Sequence, residues 1–135
     1  MDRFKSPVIE SQDELVKVMM YIDMNPKRAA MVRHPKEYLW SSFAHYAYGR
    51  EDPLITEPDC YLSLGDTPDS RQQEYLNMVE HILKHDWKKK TDYSATAFIG
   101  NPDWVKARYL RLFSQKKQMM TQKIKWNDIS LTAPP

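Results

Sequence analysis

The feature that most constrains this chain is the dipeptide Asn25-Pro26, which follows a strongly patterned helical segment. Pro has no backbone N–H to lose in the first turn of a helix, and Asn is a favourable N-cap before it. We therefore expect one helix to end near Met24 and a second helix to run from Pro26 to Val32.

The segment before this dipeptide has the pattern of an amphipathic helix. Ser11 and Glu14 have the spacing of a capping box, which predicts a helix start near Gln12. Apolar residues then recur at helical spacing and predict a buried stripe of Leu15, Val18, Met19 and Ile22. A second stripe at the same spacing carries Glu14, Lys17, Tyr21 and Asn25. A lysine, a tyrosine and an amide are thus expected to project together from one end of this helix.

Cysteine content and hydropathy argue against a disulfide-stabilised domain and a membrane-spanning protein. The 135 residues suit one small domain or part of a larger one, and the lone cysteine, Cys60, cannot form an internal disulfide. No apolar run approaches the ~20 residues of a membrane span, and no signal-peptide pattern opens the chain. These features favour a reducing, cytoplasmic location.

Charge is distributed unevenly along the chain despite a net charge of only +2. Residues 50–82 carry two basic and eight acidic side chains, whereas residues 83–135 carry eleven basic and four acidic ones. A basic C-terminal third indicates a polyanionic partner, although a solvated helix face has a similar composition.

The pattern along the chain divides it into four parts. Residues 1–48 contain one short strand, from Arg3 to Ile9, and the tyrosine-bearing helix; a lone strand either frays, pairs with another chain, or lacks the rest of its sheet. Residues 49–70 are a Pro-containing loop ending in a short helical turn, and residues 123–135 are expected to be loosely ordered. Residues 71–122 form the basic helical region, with a helix through Leu83, a link at residues 95–100 and a helix from Pro102 to Lys117.

Two further groups of side chains need interpretation. The dense aromatics around a short helix closed by Gly49 are expected to be core, with one ring left to stack on a base: Trp40, Phe43, Tyr46 and Tyr48. His81 and His85 have a spacing that can bind metal, but no third ligand stands at a recognised spacing, so we favour a solvated face.

An ordered set of motifs resembles the REP-associated tyrosine transposases, relatives of the single-strand insertion-sequence transposases. The motifs are Arg3-Phe4-Lys5-Ser6, Tyr21-Ile22-x-x-Asn25-Pro26-x-Arg28-Ala29-x-Met31-Val32, Pro35-x-x-Tyr38-x-Trp40-Ser41-Ser42, Asp52-Pro53-Leu54-Ile55-Thr56 and Tyr61-Leu62-x-Leu64-Gly65. The likeness covers roughly residues 3 to 80. The resemblance implies a bacterial DNA transposase that cleaves and joins single-stranded DNA.

The resemblance also implies roles for individual residues. Tyr21 matches the family's nucleophile, which attacks a scissile phosphate and leaves a 5′-phosphotyrosine bond. Asn25 matches a position that completes the site of a divalent metal, Mg or Mn, held mainly by a His-hydrophobic-His pair. Contacts to single-stranded or hairpin DNA are expected from Arg3, Lys5, Lys17, Lys27, Arg28, Arg108, Arg111 and Lys116. Lys17 could equally form a solvated ion pair with Glu14.

The chain departs from the family's pattern in two ways. No two of its four histidines are separated by one residue, so the His pair is missing. The family also more often has Val and Gly where Lys27 and Ala30 stand. We therefore expect a mainly α chain, the helical C-terminal portion of an α+β, ferredoxin-like transposase fold with one short N-terminal strand.

Three interpretations remain open at this point. The chain is part of a tyrosine transposase whose metal-bearing segment, or a second subunit, lies elsewhere; or a non-catalytic single-strand DNA-binding remnant; or a small helical partner-binding domain. In each case the isolated chain is expected to be catalytically inactive and to bind no metal alone.

Overall fold

The computed structural model describes residues 6–85, 87, 88 and 93–131. In this part of the chain the fold is mainly helical, as the sequence predicts, and it contains one pair of two-residue strands. The elements are β1 (Val8–Ile9), α1 (Gln12–Arg28), α2 (Phe43–Tyr48), α3 (Asp59–Leu62), α4 (Pro68–His85), β2 (Phe98–Ile99) and α5 (Pro102–Leu131), with 3-10 turns at Pro35–Glu37 and Tyr93–Ala95.

Two compact units divide the chain: residues 11–95 form one, and residues 1–10 with 96–135 form the other. The first unit holds α1 to α4 around a core that includes Met24, Phe43, Tyr61, Tyr75 and Val79. Helices α1, α2 and α4 each contribute large side chains to this core. Leu76, Met78, Ile82 and Leu83 of α4 pack against this core.

Helix α1 does not stop at Asn25, so the predicted break and the separate helix from Pro26 to Val32 are wrong. Pro26 lies inside the helix and is buried. A proline in a helix removes one backbone hydrogen bond and crowds the carbonyl four residues earlier. Burial of Pro26 and the last helical turn offset this cost near the helix end, so α1 continues to Arg28.

The buried stripe of α1 is also displaced from the one predicted. Val16, Met20, Asp23 and Met24 are buried, whereas Ile22 is 54% exposed. The prediction considered apolar residues only. Because Asp23 belongs to the buried stripe, that stripe contains a charged residue, and the neighbouring stripe, which is entirely apolar, was chosen instead. Leu15 and Met19 do pack against the core from its margin.

Helix α1 ends in a Schellman motif, which places Ala30 in the left-handed region with φ 57°. The N–H of Met31 donates to the carbonyl of Pro26, and the N–H of Ala30 donates to that of Lys27. Gly normally occupies this position because a Cβ is unfavourable there. In the resembled family, Gly is the more frequent residue at the position of Ala30.

The other unit corrects the prediction of an N-terminal strand without a partner in its own chain. Strand β1 pairs in parallel with β2, with Val8 opposite Phe98 and Ile9 opposite Ile99. The pattern around residues 95–100 was too short to stand out as a strand. Two-residue strands carry almost no periodicity, so only the tertiary contact defines this pair.

Helix α5 is longer than predicted. It extends from Pro102 to Leu131, past the expected end at Lys117. Residues 123–131, expected to be loosely ordered, continue the helix, and residues 132–135 lie outside the described residues. None of the helices in the described part of the chain combines the length and apolar character needed to cross a membrane.

Candidate functional site around Tyr21

Tyr21 lies on α1, one and two turns before Asn25 and Arg28, on the same face of the helix. The guanidinium carbon of Arg28 is 3.8 Å from the centroid of the Tyr21 ring. Arg28 also donates to the Tyr21 backbone carbonyl and to Oδ1 of Asn25. The continuous helix therefore gathers a phenol, an amide and a guanidinium into one cluster.

Tyr93, from the 3-10 turn Tyr93–Ala95, completes the surroundings of Tyr21. The two rings meet edge to face, with centroids 4.9 Å apart. Burial raises the pKa of Tyr93, as do the negative charge of Glu14 and the phenol of Tyr21, while Lys17 and Arg28 oppose them. No motif in the sequence pointed to Tyr93, because it is distant in the chain and stands in no recognisable pattern.

Arg28 is the cation of this cluster. Partial burial lowers its pKa, and the neighbouring phenols of Tyr21 and Tyr93 act in the opposite direction. An arginine stays protonated across the physiological range in any case. A fixed positive charge thus lies against the Tyr21 ring.

Lys17 and Lys27, two other residues expected at the site, have other partners. Lys17 Nζ lies 3.1 Å from Oε1 of Glu14, the solvated ion pair that was the alternative for this residue. Lys27 Nζ donates to the Arg33 carbonyl at 2.6 Å and lies 4.4 Å from the centroid of the Trp87 ring. None of these contacts involves the Tyr21 ring.

The remaining expected DNA contacts are not part of this cluster. Arg108, Arg111 and Lys116 are exposed on α5, in the other compact unit, and the Arg108 guanidinium carbon lies 5.1 Å from the Trp104 ring centroid. Arg3 and Lys5 fall outside the described residues.

A buried carboxyl lies on the opposite side of α1. Asp23 is 0% exposed, and its two oxygens accept from the hydroxyls of Ser42 at 2.6 Å and Tyr75 at 2.7 Å. Burial raises the pKa of Asp23, and the two hydrogen bonds partly oppose this. Burial and the adjacent carboxyl together raise the pKa of Tyr75 far above that of a free tyrosine. No sequence pattern pointed to Asp23, since a buried Asp interrupts an apolar pattern.

The described residues do not build a metal site around Asn25. No group of three or more His, Cys, Asp or Glu side chains in the described ranges is arranged to hold an ion. Asn25 Oδ1 already accepts from Arg28. The rings of His81 and His85 lie close together on α4, with centroids 4.6 Å apart and planes tilted by 46°, but both residues are exposed. A metal ion used at Tyr21 needs ligands beyond those described here.

The predicted aromatic core around α2 is only half correct. Phe43 and Tyr46 are buried, Tyr48 is half exposed, and Trp40 is 88% exposed. Trp40 precedes α2, on the loop that follows the 3-10 turn Pro35–Glu37, and points away from the helical core. The prediction left one of the four rings outside the core, so the exposure of Trp40 fits it and the half-exposed Tyr48 is the departure.

Comparisons with known proteins do not assign the chain to a family. A scan against protein-family models, a search of curated proteins and a search of solved structures each found no match.

Proposed function

We propose that this chain supplies the tyrosine nucleophile of a DNA strand-cleaving and strand-joining protein that acts on single-stranded DNA. In this proposal the chain corresponds to the C-terminal portion of a protein like the REP-associated tyrosine transposases. The observation that carries the proposal is the cluster of Tyr21, Asn25 and Arg28 on one face of α1, with Arg28 against the Tyr21 ring.

The chemistry asked of Tyr21 is nucleophilic attack on phosphorus. The phenol oxygen forms a bond to the phosphorus, the bond to the 3′ oxygen breaks, and that oxygen takes up a proton while the phenol loses one. A free phenol is a weak nucleophile at neutral pH because it is protonated. The Arg28 guanidinium supports the reaction because it stabilises negative charge on the phenol oxygen and the phosphate.

The end of α1 adds independent support. Ala30 occupies the left-handed position of the Schellman motif, with φ 57°. The resembled family more often has Gly at this position, and Gly is what such a backbone favours. This backbone is compatible with the residue that the family more often has here, although many helices end in the same way.

The divalent metal of the resembled family polarises the scissile phosphate. The described residues of this chain do not provide its ligands, so the proposal places the metal-bearing His pair outside them. In this proposal Asn25 positions Arg28, because its amide oxygen accepts a hydrogen bond from the guanidinium beside Tyr21.

A second candidate function is single-strand DNA binding without strand cleavage. It is favoured by the same hydrogen bond, because the Asn25 oxygen that a metal needs is already engaged by Arg28. The exposed basic side chains of α5 serve either function, since they attract a polyanion without any catalytic step.

Trapping of a covalent adduct separates these two functions. The chain is incubated with the His-pair domain of a related transposase, magnesium or manganese, and a single-stranded DNA hairpin, and the products are analysed by mass spectrometry. We expect a phosphotyrosine adduct on Tyr21, lost in Tyr21→Phe and retained in the matched variant Tyr38→Phe. The chain alone should form none.

Other outcomes have distinct meanings. Tight binding of the hairpin with no adduct under any condition supports the non-catalytic DNA-binding function. An adduct on Tyr38 or Tyr46 shows that Tyr21 is not the nucleophile. Absence of both binding and adduct rejects a role in DNA chemistry and leaves the partner-binding interpretation.

A further inference from the structure

Trp40 is the most exposed aromatic residue among those whose exposure is described, at 88%. Single exposed apolar residues are common and need no explanation by themselves. Trp40, however, borders a groove rather than an open convex surface. The groove lies between the C-terminal half of α1 and the loop that leads into α2.

The groove has a volume of about 420 Å³. Small-molecule clefts in proteins typically measure about 300–1,000 Å³. Pro26 and Ala29 form apolar parts of its wall, and the polar groups come from Asn25, Ser41 and Ser42. An exposed indole ring beside the Asn25 amide offers a stacking face and a hydrogen-bonding group to one occupant, while the Ser41 and Ser42 hydroxyls already donate to the Tyr38 carbonyl and to Asp23.

Two guanidinium groups are hydrogen-bonded to residues that line this groove. Arg28 donates to Oδ1 of Asn25, and Arg50 donates to the backbone carbonyl of Ser41 at 3.2 Å. None of the residues that line the groove in the described part of the chain is acidic. The neighbouring carboxyl, Asp23, is fully buried beneath Ser42 and has a raised pKa. The groove is therefore suited to an anionic occupant.

We infer that the groove binds single-stranded DNA, with one nucleobase stacked on Trp40 and adjacent phosphates near Arg28 and Arg50. The inference rests on the proposed function and assigns a base-stacking position to it. Base faces are accessible only in an unpaired strand, and stacking on an aromatic ring tolerates any base. Arg28 then links the groove to Tyr21, because its guanidinium contacts both Asn25 and the Tyr21 ring.

The test is a titration of the full chain with a labelled oligodeoxythymidine of about 12 nucleotides, within the range of site sizes known for single-strand binding proteins. Fluorescence anisotropy gives the affinity of the wild type, Trp40→Ala, Trp40→Phe and the control Leu54→Ala. Leu54 is 92% exposed and does not line the groove, so it controls for loss of an exposed apolar side chain.

We expect Trp40→Ala to weaken binding by about 5- to 150-fold, the loss typical of one base–aromatic stack. Trp40→Phe should retain most of the affinity, and Leu54→Ala should bind like the wild type. Stacking involves no phosphate, so Trp40→Ala should leave the salt dependence unchanged. Arg50→Gln should reduce the log–log salt slope by about 0.7.

A second measurement does not depend on the Ala variant. Stacking on a base quenches indole fluorescence, so the oligonucleotide should quench the wild type and fail to quench Trp40→Phe to the same extent. Equal quenching in Trp40→Phe would place the stacked indole elsewhere and overturn the inference. Melting curves of the variants should match the wild type, because Trp40 is exposed.

The failures of the inference and of the proposed function are distinguishable. If the wild type binds the oligonucleotide and Trp40→Ala binds equally well, the Trp40 position is rejected while DNA binding stands. If the wild type does not bind, the groove is rejected, and the proposed function is rejected as well only if the Tyr21 adduct also fails to form. If Trp40→Ala instead converts a dimer to a monomer in sedimentation and leaves DNA affinity unchanged, the groove is a contact between copies of this chain.

Discussion

Tyr21 of α1 and Tyr75 of α4 lie on opposite sides of α1, in contrasting environments. Tyr75 is fully buried, and its hydroxyl donates to Asp23 at 2.7 Å. Tyr21 is half-buried, and its ring contacts the Arg28 guanidinium and the edge of Tyr93. The buried carboxyl of Asp23 keeps the Tyr75 phenol protonated, whereas the Tyr21 ring faces the positive charge of Arg28. The contrast teaches that the partner of a tyrosine, rather than its helical setting, decides whether it is suited to structure or to chemistry.

The largest effect on stability is expected from removal of the Asp23 carboxyl, which accepts the hydrogen bond from Tyr75. Asp23→Ala leaves the hydroxyls of Tyr75 and Ser42 without their acceptor in the interior, so the free energy of unfolding should fall by about 3 kcal/mol. The matched variant Asp23→Asn keeps an acceptor oxygen and should change it by less than about 1 kcal/mol at pH 7. Denaturant unfolding measures both. Equal losses in the two variants would show that packing, and not hydrogen bonding, is the contribution of Asp23.

Removal of each phenolic hydroxyl compares the two tyrosines directly. Tyr75→Phe should cost about 2 kcal/mol of unfolding free energy, because a buried carboxyl loses one of its two hydrogen bonds. Tyr21→Phe should change stability by less than about 0.5 kcal/mol, since the ring contacts with Arg28 and Tyr93 remain. Thermal melting of the two variants under identical conditions tests this. A loss in Tyr21→Phe as large as that in Tyr75→Phe would make Tyr21 a structural residue as well.

A smaller effect is expected at the end of α1, on the Tyr21 side. Ala30→Gly relieves a left-handed backbone and should raise the unfolding free energy by about 0.5–1 kcal/mol. Ala29 has an ordinary φ of −79°, so the control Ala29→Gly should instead lower it by a few tenths to about 1 kcal/mol. The two substitutions therefore have opposite expected signs. The same sign in both would contradict the Schellman geometry.

The smallest expected effect is the pH dependence of stability that arises from Asp23. Burial raises the pKa of Asp23 in the folded chain above its unfolded value, which for an Asp is about 4. Its contribution to stability is therefore fully present below that unfolded value and decreases as pH rises through the folded pKa. Asn does not ionise, so wild type should lose stability relative to Asp23→Asn between pH 4 and pH 8. A relative gain over that range would reverse the assignment of the raised pKa.

Several elements were predictable from local signals in the sequence. The capping box at Ser11 and Glu14 starts α1, Gly49 ends α2 with φ 72°, and the apolar pattern of α4 marks its buried face. These features depend on residues close in the chain, whose geometry is fixed by backbone hydrogen bonding. The pairing of β1 with β2 and the contact of Tyr93 with Tyr21 join distant segments, so local patterns carried no information about them.

The candidate site shows the same division. The spacing of Tyr21, Asn25 and Arg28 predicts a shared face, provided that the helix continues through Pro26. The local preference of Pro predicts a break at this position. That preference does not include the packing that buries Pro26 and lets the helix continue. The burial of Asp23 and the exposure of Trp40 likewise depend on which side of each segment faces the core. Tertiary contacts decide this.

Pro26 also has a dynamic consequence. Because it has no N–H, the carbonyl of Ile22 has no amide four residues later to accept from, and the turn that carries Arg28 is joined to the rest of α1 by one hydrogen bond fewer. Transient opening of this turn costs less free energy than opening the segment packed on the core. Amide exchange should therefore be faster at Arg28 than at Met20, and each opening event withdraws the guanidinium from Tyr21 while the helical core stays folded.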